Sequence, residues 1–204
     1  MITKTRLAGL LLGSLLVSSS LSSAFAADNV IKPTRGTIDS VNDSSVQITT
    51  RQGEKLDVKL TDQTKINAVT KGQISDIKPD SFIGTAAGPQ ANGTMKALEV
   101  HVFAPSLRGS GEGFNPFESA DGKINTMTNG TVGKLVNSNG RTLTVKYHDA
   151  EKTVVVPADV PVVLLAPGDR TLLKPGTKFV LFAMKDDKGA LVARGIAAGK
   201  DGIA

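Results

Sequence analysis

Two histidines and no cysteine bound the chemistry open to this chain. His101 lies in the alternating run Ala97-Leu98-Glu99-Val100-His101-Val102-Phe103, so Glu99, two residues earlier, projects from the same face of a strand. An imidazole beside a carboxylate can ligate a divalent metal, and Glu112 or the second histidine, His148, would complete the set. The metal candidates are therefore His101, Glu99 and Glu112. The alternative is an exposed polar strand face opposite Leu98, Val100 and Val102. His148 precedes Asp149 in a hairpin turn, where Asp is ordinary turn chemistry.

Other constellations are weaker. Gly109-Ser110-Gly111-Glu112-Gly113 spaces its glycines as an anion-cradling loop does. It lacks the Lys-Ser/Thr of a phosphate loop and opens no clear helix, so a tight turn is the simpler reading. Arg108 at its head can pin the segment to a carboxylate. No Gly-x-Ser-x-Gly elbow occurs, and neither histidine has a serine partner close by. Without cysteine there is no thiol nucleophile, thiolate metal site or disulfide. These residues describe a protein that is not an enzyme and carries no cofactor, unless a divalent metal sits on His101 and Glu99.

The elements that must position these residues are strands. Alternation of period two runs through Val46-Gln47-Ile48-Thr49, Leu56-Asp57-Val58-Lys59-Leu60, Leu143-Thr144-Val145-Lys146 and Lys152-Thr153-Val154-Val155-Val156. Turn chemistry separates them at Asn42-Asp43-Ser44, Gln52-Gly53, Asn92-Gly93, Ser138-Asn139-Gly140 and Lys188-Gly189. The runs also recur. Arg35-Gly36-Thr37-Ile38 answers Asn129-Gly130-Thr131-Val132, and Ile77-Lys78-Pro79 answers Leu173-Lys174-Pro175, at offsets of 94 to 97 residues. A short irregular or single-turn piece is expected before each Lys-Pro, at 73–77 and 169–173, with Pro setting φ for the turn into the strand at Phe82 or Phe179. About five strands in each copy of about 70 residues predict a small closed barrel.

The fold class expected is thus all-β: two tandem five-stranded, OB- or SH3-like barrel modules after a signal peptide. A two-layered sandwich built from both copies is the alternative. The divisions are 1–26 signal, 27–104 first repeat, 105–128 linker and 129–204 second repeat. The linker is rich in Gly, Ser, Asn and Pro but also carries Leu107, Phe114 and Phe117, so it is expected to dock on a barrel. Arg108, Phe114 and Phe117 are its candidate partner-binding residues.

Lys4 and Arg6, an apolar run from Leu7 to Val17, and Ala24-Phe25-Ala26 read as a secretory signal cleaved after Ala26. That run is too short to span a bilayer, and nothing later in the sequence approaches the roughly 18 consecutive apolar residues required. No membrane insertion is expected, and the location is the periplasm. The whole chain has 24 basic and 19 acidic residues, scattered, with no Trp, one Tyr and seven Phe. Nucleic-acid binding wants a basic stripe with stacking aromatics, and this composition supplies neither.

The stretches Arg35-Gly36-Thr37-Ile38, Asp76-Ile77-Lys78-Pro79 before Phe82, Ala97 to Phe103, Arg108-Gly109-Ser110-Gly111-Glu112-Gly113 and Met127-Thr128-Asn129 resemble a family of secreted bacterial proteins. It is a domain-of-unknown-function family with β-barrel-like repeats, and the resemblance covers essentially the whole mature chain. Its members are often labelled "metal ABC transporter permease", a label at odds with a sequence that has no spans. The resemblance implies the repeat fold. Where members often have His after the glycine run, this chain has Phe114. The function expected is an exported, soluble, non-catalytic binding protein whose partner is an envelope protein or polymer. The alternative is a periplasmic metal-binding accessory of a transport system.

Overall fold

The period-two runs become strands, and the Asn, Gly and Asp clusters between them become turns. The computed structural model describes residues 33–118, 124–135 and 141–203. The signal segment 1–26 and the Ser138-Asn139-Gly140 turn lie outside the described residues. The first copy supplies β1 (Thr34–Val41), β2 (Ser45–Thr50), β3 (Lys55–Lys59), β4 (Lys65–Lys71), β5 (Phe82–Pro89) and β6 (Met95–Phe103). The linker contributes β7 (Gly113–Glu118). The second copy supplies β8 (Ile124–Leu135), β9 (Thr142–Tyr147), β10 (Ala150–Val155), β11 (Val162–Pro167), β12 (Lys178–Lys185) and β13 (Leu191–Gly199). The only helical pieces among the described residues are single 3-10 turns at Ile74–Asp76, Pro105–Leu107 and Arg170–Leu172, the first and last of them ahead of each Lys-Pro as expected. No helix among them is long and apolar enough to cross a membrane.

The protein is all-β and barrel-forming, but the copies exchange strands. One ring closes through β1–β2, β2–β3, β3–β13, β13–β12 and β12–β1. The other closes through β5–β6, β6–β10, β10–β9, β9–β8 and β8–β5. Each ring therefore takes three strands from one copy and two from the other. The expectation of one barrel per copy is corrected accordingly. The cores show the same exchange. Ile38, Val46, Ile48 and Val58 pack with Leu181, Ala183, Ala193 and Ile196 in one barrel. Ile83, Met95, Ala97 and Val100 pack with Val132, Leu143, Val145 and Val154 in the other. At about 1.5–3 kcal/mol for each large aliphatic side chain buried, neither copy keeps its core without the other.

Among the described residues each copy has six strands rather than five, and the extra one makes the join. β4 pairs antiparallel with β11, with Val69 opposite Leu165 at the centre of the register. β4 also runs parallel to β13, and β11 parallel to β6. Val69 and Leu165 are equivalent positions, 96 residues apart, so a pseudo-two-fold axis passes through this pair. Repeat-specific details follow the axis. Gly36 and Gly130 are required because a Cβ there would strike the carbonyl oxygens of Thr49 and Lys146. The Lys-Pro turns are closed by Ser81 N–H to the Lys78 carbonyl and Thr177 N–H to the Lys174 carbonyl, both 3.0 Å. The position after Pro needs positive φ: Asp80 stands at 64° where the second copy has Gly176 at 85°.

The linker is ordered over most of its described length. β7 pairs along β8 from Gly113 opposite Asn129 to Glu118 opposite Ile124, so the segment lies on the second barrel as a hairpin arm. Gly109, Gly111 and Gly113 all have positive φ, which makes the glycine run a tight turn feeding a strand.

Candidate functional site

A strand in a barrel wall shows one face to its own core and the other outward. Here the outward faces of the two barrels meet around the pseudo-two-fold axis and enclose a cavity of about 310 Å3. Alternate residues build it: Glu99, His101 and Phe103 of β6, and Lys178, Val180 and Phe182 of β12. Asn67 and Val69 of β4, Leu165 of β11 and Ala197 of β13 form the floor near the axis, and Phe117, Met127 and Asn129 close it from β7 and β8. Val69, Leu165, Val163 and Ala197 are themselves a small buried cluster backed by Phe103 and Val180.

A bulge sets which β6 residues reach this space. The register of β5 with β6 shifts between Ala86 and Ala87, leaving Leu98 as the extra residue, turned outward and 39% exposed. Ala97 and Val100 both point into the barrel core as a result. β13 has the equivalent bulge, between partners Phe182 and Ala183, with Arg194 as its extra residue.

The polar end of the cavity is a buried triad. Arg35 Nη2 donates to Glu99 Oε2 at 3.1 Å, and His101 Nε2 donates to Glu99 Oε1 at 2.8 Å. The three side chains keep only 9%, 15% and 14% of their exposure. Burial pushes the Glu99 carboxyl upward, but the His101 hydrogen bond and charge, then those of Arg35, outweigh it and hold the group at about 2. Arg35 lies over the Phe117 ring with 5.2 Å from guanidinium carbon to centroid. Its Nε and the Asn129 Oδ1 are both buried and, among the described residues, without a hydrogen-bond partner. Both residues line the cavity.

The metal candidates separate. Glu99 and His101 are in contact, but Glu112 accepts from the His148 backbone N–H at 3.0 Å. Among the described residues no group of three His, Asp or Glu is placed to hold a metal. The polar-face alternative is also corrected in one respect, since the face bearing Glu99 and His101 is covered by the other barrel. The linker residues are employed within the chain. Arg108 donates to the Asp80 carbonyl, to Asp80 Oδ2 at 3.5 Å and to Thr131 Oγ1 at 3.2 Å. Phe117 is buried in the cavity wall, and Phe114, 41% exposed, stacks on Tyr147 under the Lys152 ammonium.

Arg35, Lys178, Asn129, Val180 and Phe182 were not among the sequence candidates. A signal for the polar end exists in the repeat itself. Where copy one has Arg35, Glu99 and His101, the equivalent positions of copy two hold Asn129, Gly195 and Ala197. The fold is satisfied by small or neutral residues there, so the charged set serves something else. No protein-family model matches the chain, and neither a curated protein nor a solved structure matches it.

Proposed function

We propose that the protein is an exported, non-catalytic binding protein that takes a small ligand in the cavity between its exchanged barrels. The observation that carries this reading is the cavity itself: apolar walls with one buried polar corner, of the size and make-up of small-molecule sites. The state of Glu99 supports binding over proton chemistry. Its carboxyl is held ionised far below neutral pH by two donors, which suits a fixed anchor rather than a general acid or base. A macromolecular partner at the linker has less support, because Arg108 and Phe117 are already engaged inside the molecule. Export to the periplasm rests on the signal-like start of the sequence.

The test is titration of the mature chain with a neutral apolar fluorophore, N-phenyl-1-naphthylamine. Saturable one-to-one binding with blue-shifted emission is expected. Val180→Trp, which fills the cavity from its wall, removes that binding while the far-ultraviolet circular dichroism is kept. Absence of saturation in the wild type, or unchanged binding in Val180→Trp, refutes the reading.

A further inference from the structure

Building on the binding-protein reading, we infer that the ligand is an amphipathic organic anion, with a single acid group at the Arg35–Lys178 end and an apolar body along the axis. Three observations converge on this chemistry.

The first is the charge of the lining. Arg35 and Lys178 bring two positive charges into the wall and Glu99 brings one negative, before any charge on His101 is counted. The two cations are neighbours: Arg35 stands opposite Val180 on β12, and Lys178 lies on the same face two residues away. Glu99 is consumed by Arg35 and His101, and among the described residues Lys178 has no acidic partner. Lys178 is exposed at the rim, so one positive charge without an acidic partner stands at this end of a largely apolar lining, where a single anion pairs with it.

The second is an orphan donor. The Nε–H of Arg35 is buried and unpaired even though Nη2 is bonded to Glu99. An unpaired buried donor on a charged group is costly, and a small shift of the Arg35 side chain toward a ligand acceptor in the cavity would relieve that cost. An anionic oxygen does so most strongly.

The third is the asymmetry of the copies. The position equivalent to Lys178 is Phe82, since Lys178 faces Thr37 and Phe82 faces Thr131 at matching places in the two rings. Phe82 is buried and packs edge-on against Phe103 of the cavity wall, 5.3 Å between centroids. Together with Asn129, Gly195 and Ala197 opposite the triad, the substitutions give the site one cationic end and one uncharged end. That polarity fits a head-and-tail ligand and not a symmetric one.

The experiment is calorimetric titration of the mature chain with octanoate, 1-octanol and octylamine, matched in tail and differing in head. Octanoate is expected to bind at least about tenfold tighter than octanol, the scale of one charge-assisted contact, with octylamine weakest. The octanoate preference should shrink in 0.5 M salt relative to 0.05 M by at least about twofold. Lys178→Gln, at an exposed position with no ion pair, should keep the fold and lower the preference at least about twofold. Arg35→Gln should abolish it, and Arg35→Lys, which keeps the charge without the Nε donor, should restore only part. Equal affinity for octanoate and octanol, or tighter binding of octylamine, overturns the anion inference while leaving the cavity reading intact. Binding of N-phenyl-1-naphthylamine with no binding of octanoate does the same. If none of these probes binds, the cavity reading and the inference fall together.

Discussion

Replacing Glu99 by Gln should flatten the response of stability to acid by an amount the structure specifies. In the native chain the carboxyl is held at about 2, against an ordinary value of 4.5. With each tenfold difference in proton affinity worth roughly 1.4 kcal/mol, the ionised form contributes about 3 kcal/mol to folding. Because the native value is the lower one, that contribution is complete above the ordinary value and is lost as pH falls toward 2. By pH 3 about 2 kcal/mol of it has gone. The Gln variant has no such proton to bind. It also leaves the Arg35 guanidinium buried without its counter-charge, a change that costs about 3–5 kcal/mol where measured in other buried pairs. Urea unfolding followed by circular dichroism at pH 6 and pH 3 reads the difference. The wild type should exceed E99Q by about 3 kcal/mol at pH 6 and by about 1 at pH 3; with a slope of about 2 kcal/mol per molar urea, the midpoint gap closes from about 1.5 M to about 0.5 M. Asp169 and Asp186 are also held low, by the Thr171 hydroxyl and by Lys59 respectively, but they are present in both proteins and cancel. A gap that stays the same at both pH values would refute the assignment of the triad as an ionised, buried anchor.

Asp80→Gly should raise stability by about 1 kcal/mol, visible as a higher melting temperature, because Asp80 occupies at φ 64° a turn position that the other copy fills with glycine; the exposed contact it gives up to Arg108 is worth little. Gly36→Ala and Gly130→Ala should each fail to accumulate folded protein, or melt far below the wild type, since the added methyl has only backbone to push against; an unchanged melt would show that the strands can separate there. Cutting the chain between Glu118 and Ile124 should leave the two pieces running together on native size exclusion, because both barrels need strands from both pieces; separate elution would contradict the exchange.

The strands and the turns were legible because each has a local signature: alternation for a half-buried strand, and Asn-Gly or Pro-Asp for a turn. The exchange of strands has none. Val58 pairs with Leu191 of the other copy, and Val154 with the equivalent Met95. An unexchanged barrel would make the same kinds of contacts between the same kinds of residue, so residue pattern alone cannot distinguish the two. The bulge at Leu98 was hidden for a related reason. Strict alternation puts Leu98, Val100 and Val102 on one face, and a single extra residue in the pairing turns Leu98 outward without altering the hydrophobic pattern. Period two therefore pairs Glu99 with His101 but carries no sign that the other barrel covers them. Nothing local marks Arg35, because its partner Glu99 lies 64 residues away and arrives only when the rings close.

Exchange also explains why a site exists at all. Two barrels each closed on its own copy would need a separate interface to make a shared cavity. Here β4 and β11 stand outside the two rings and pair with each other, and through β13 and β6 that ribbon fixes the outward faces of β12 and β6 on either side of one axis. The pairings are symmetric about this axis, so the lining falls into two equivalent half-sites. One half holds neutral or small residues, Asn129, Gly195 and Ala197, and the other carries Arg35, Glu99 and His101. The small residues of the first half make room, and the charged residues of the second half give direction. Neither half could do both, since a second buried ion pair facing the first would fill the cavity and add two more desolvated charges at a cost of several kcal/mol. The difference between the copies, more than either copy alone, is what the site consists of.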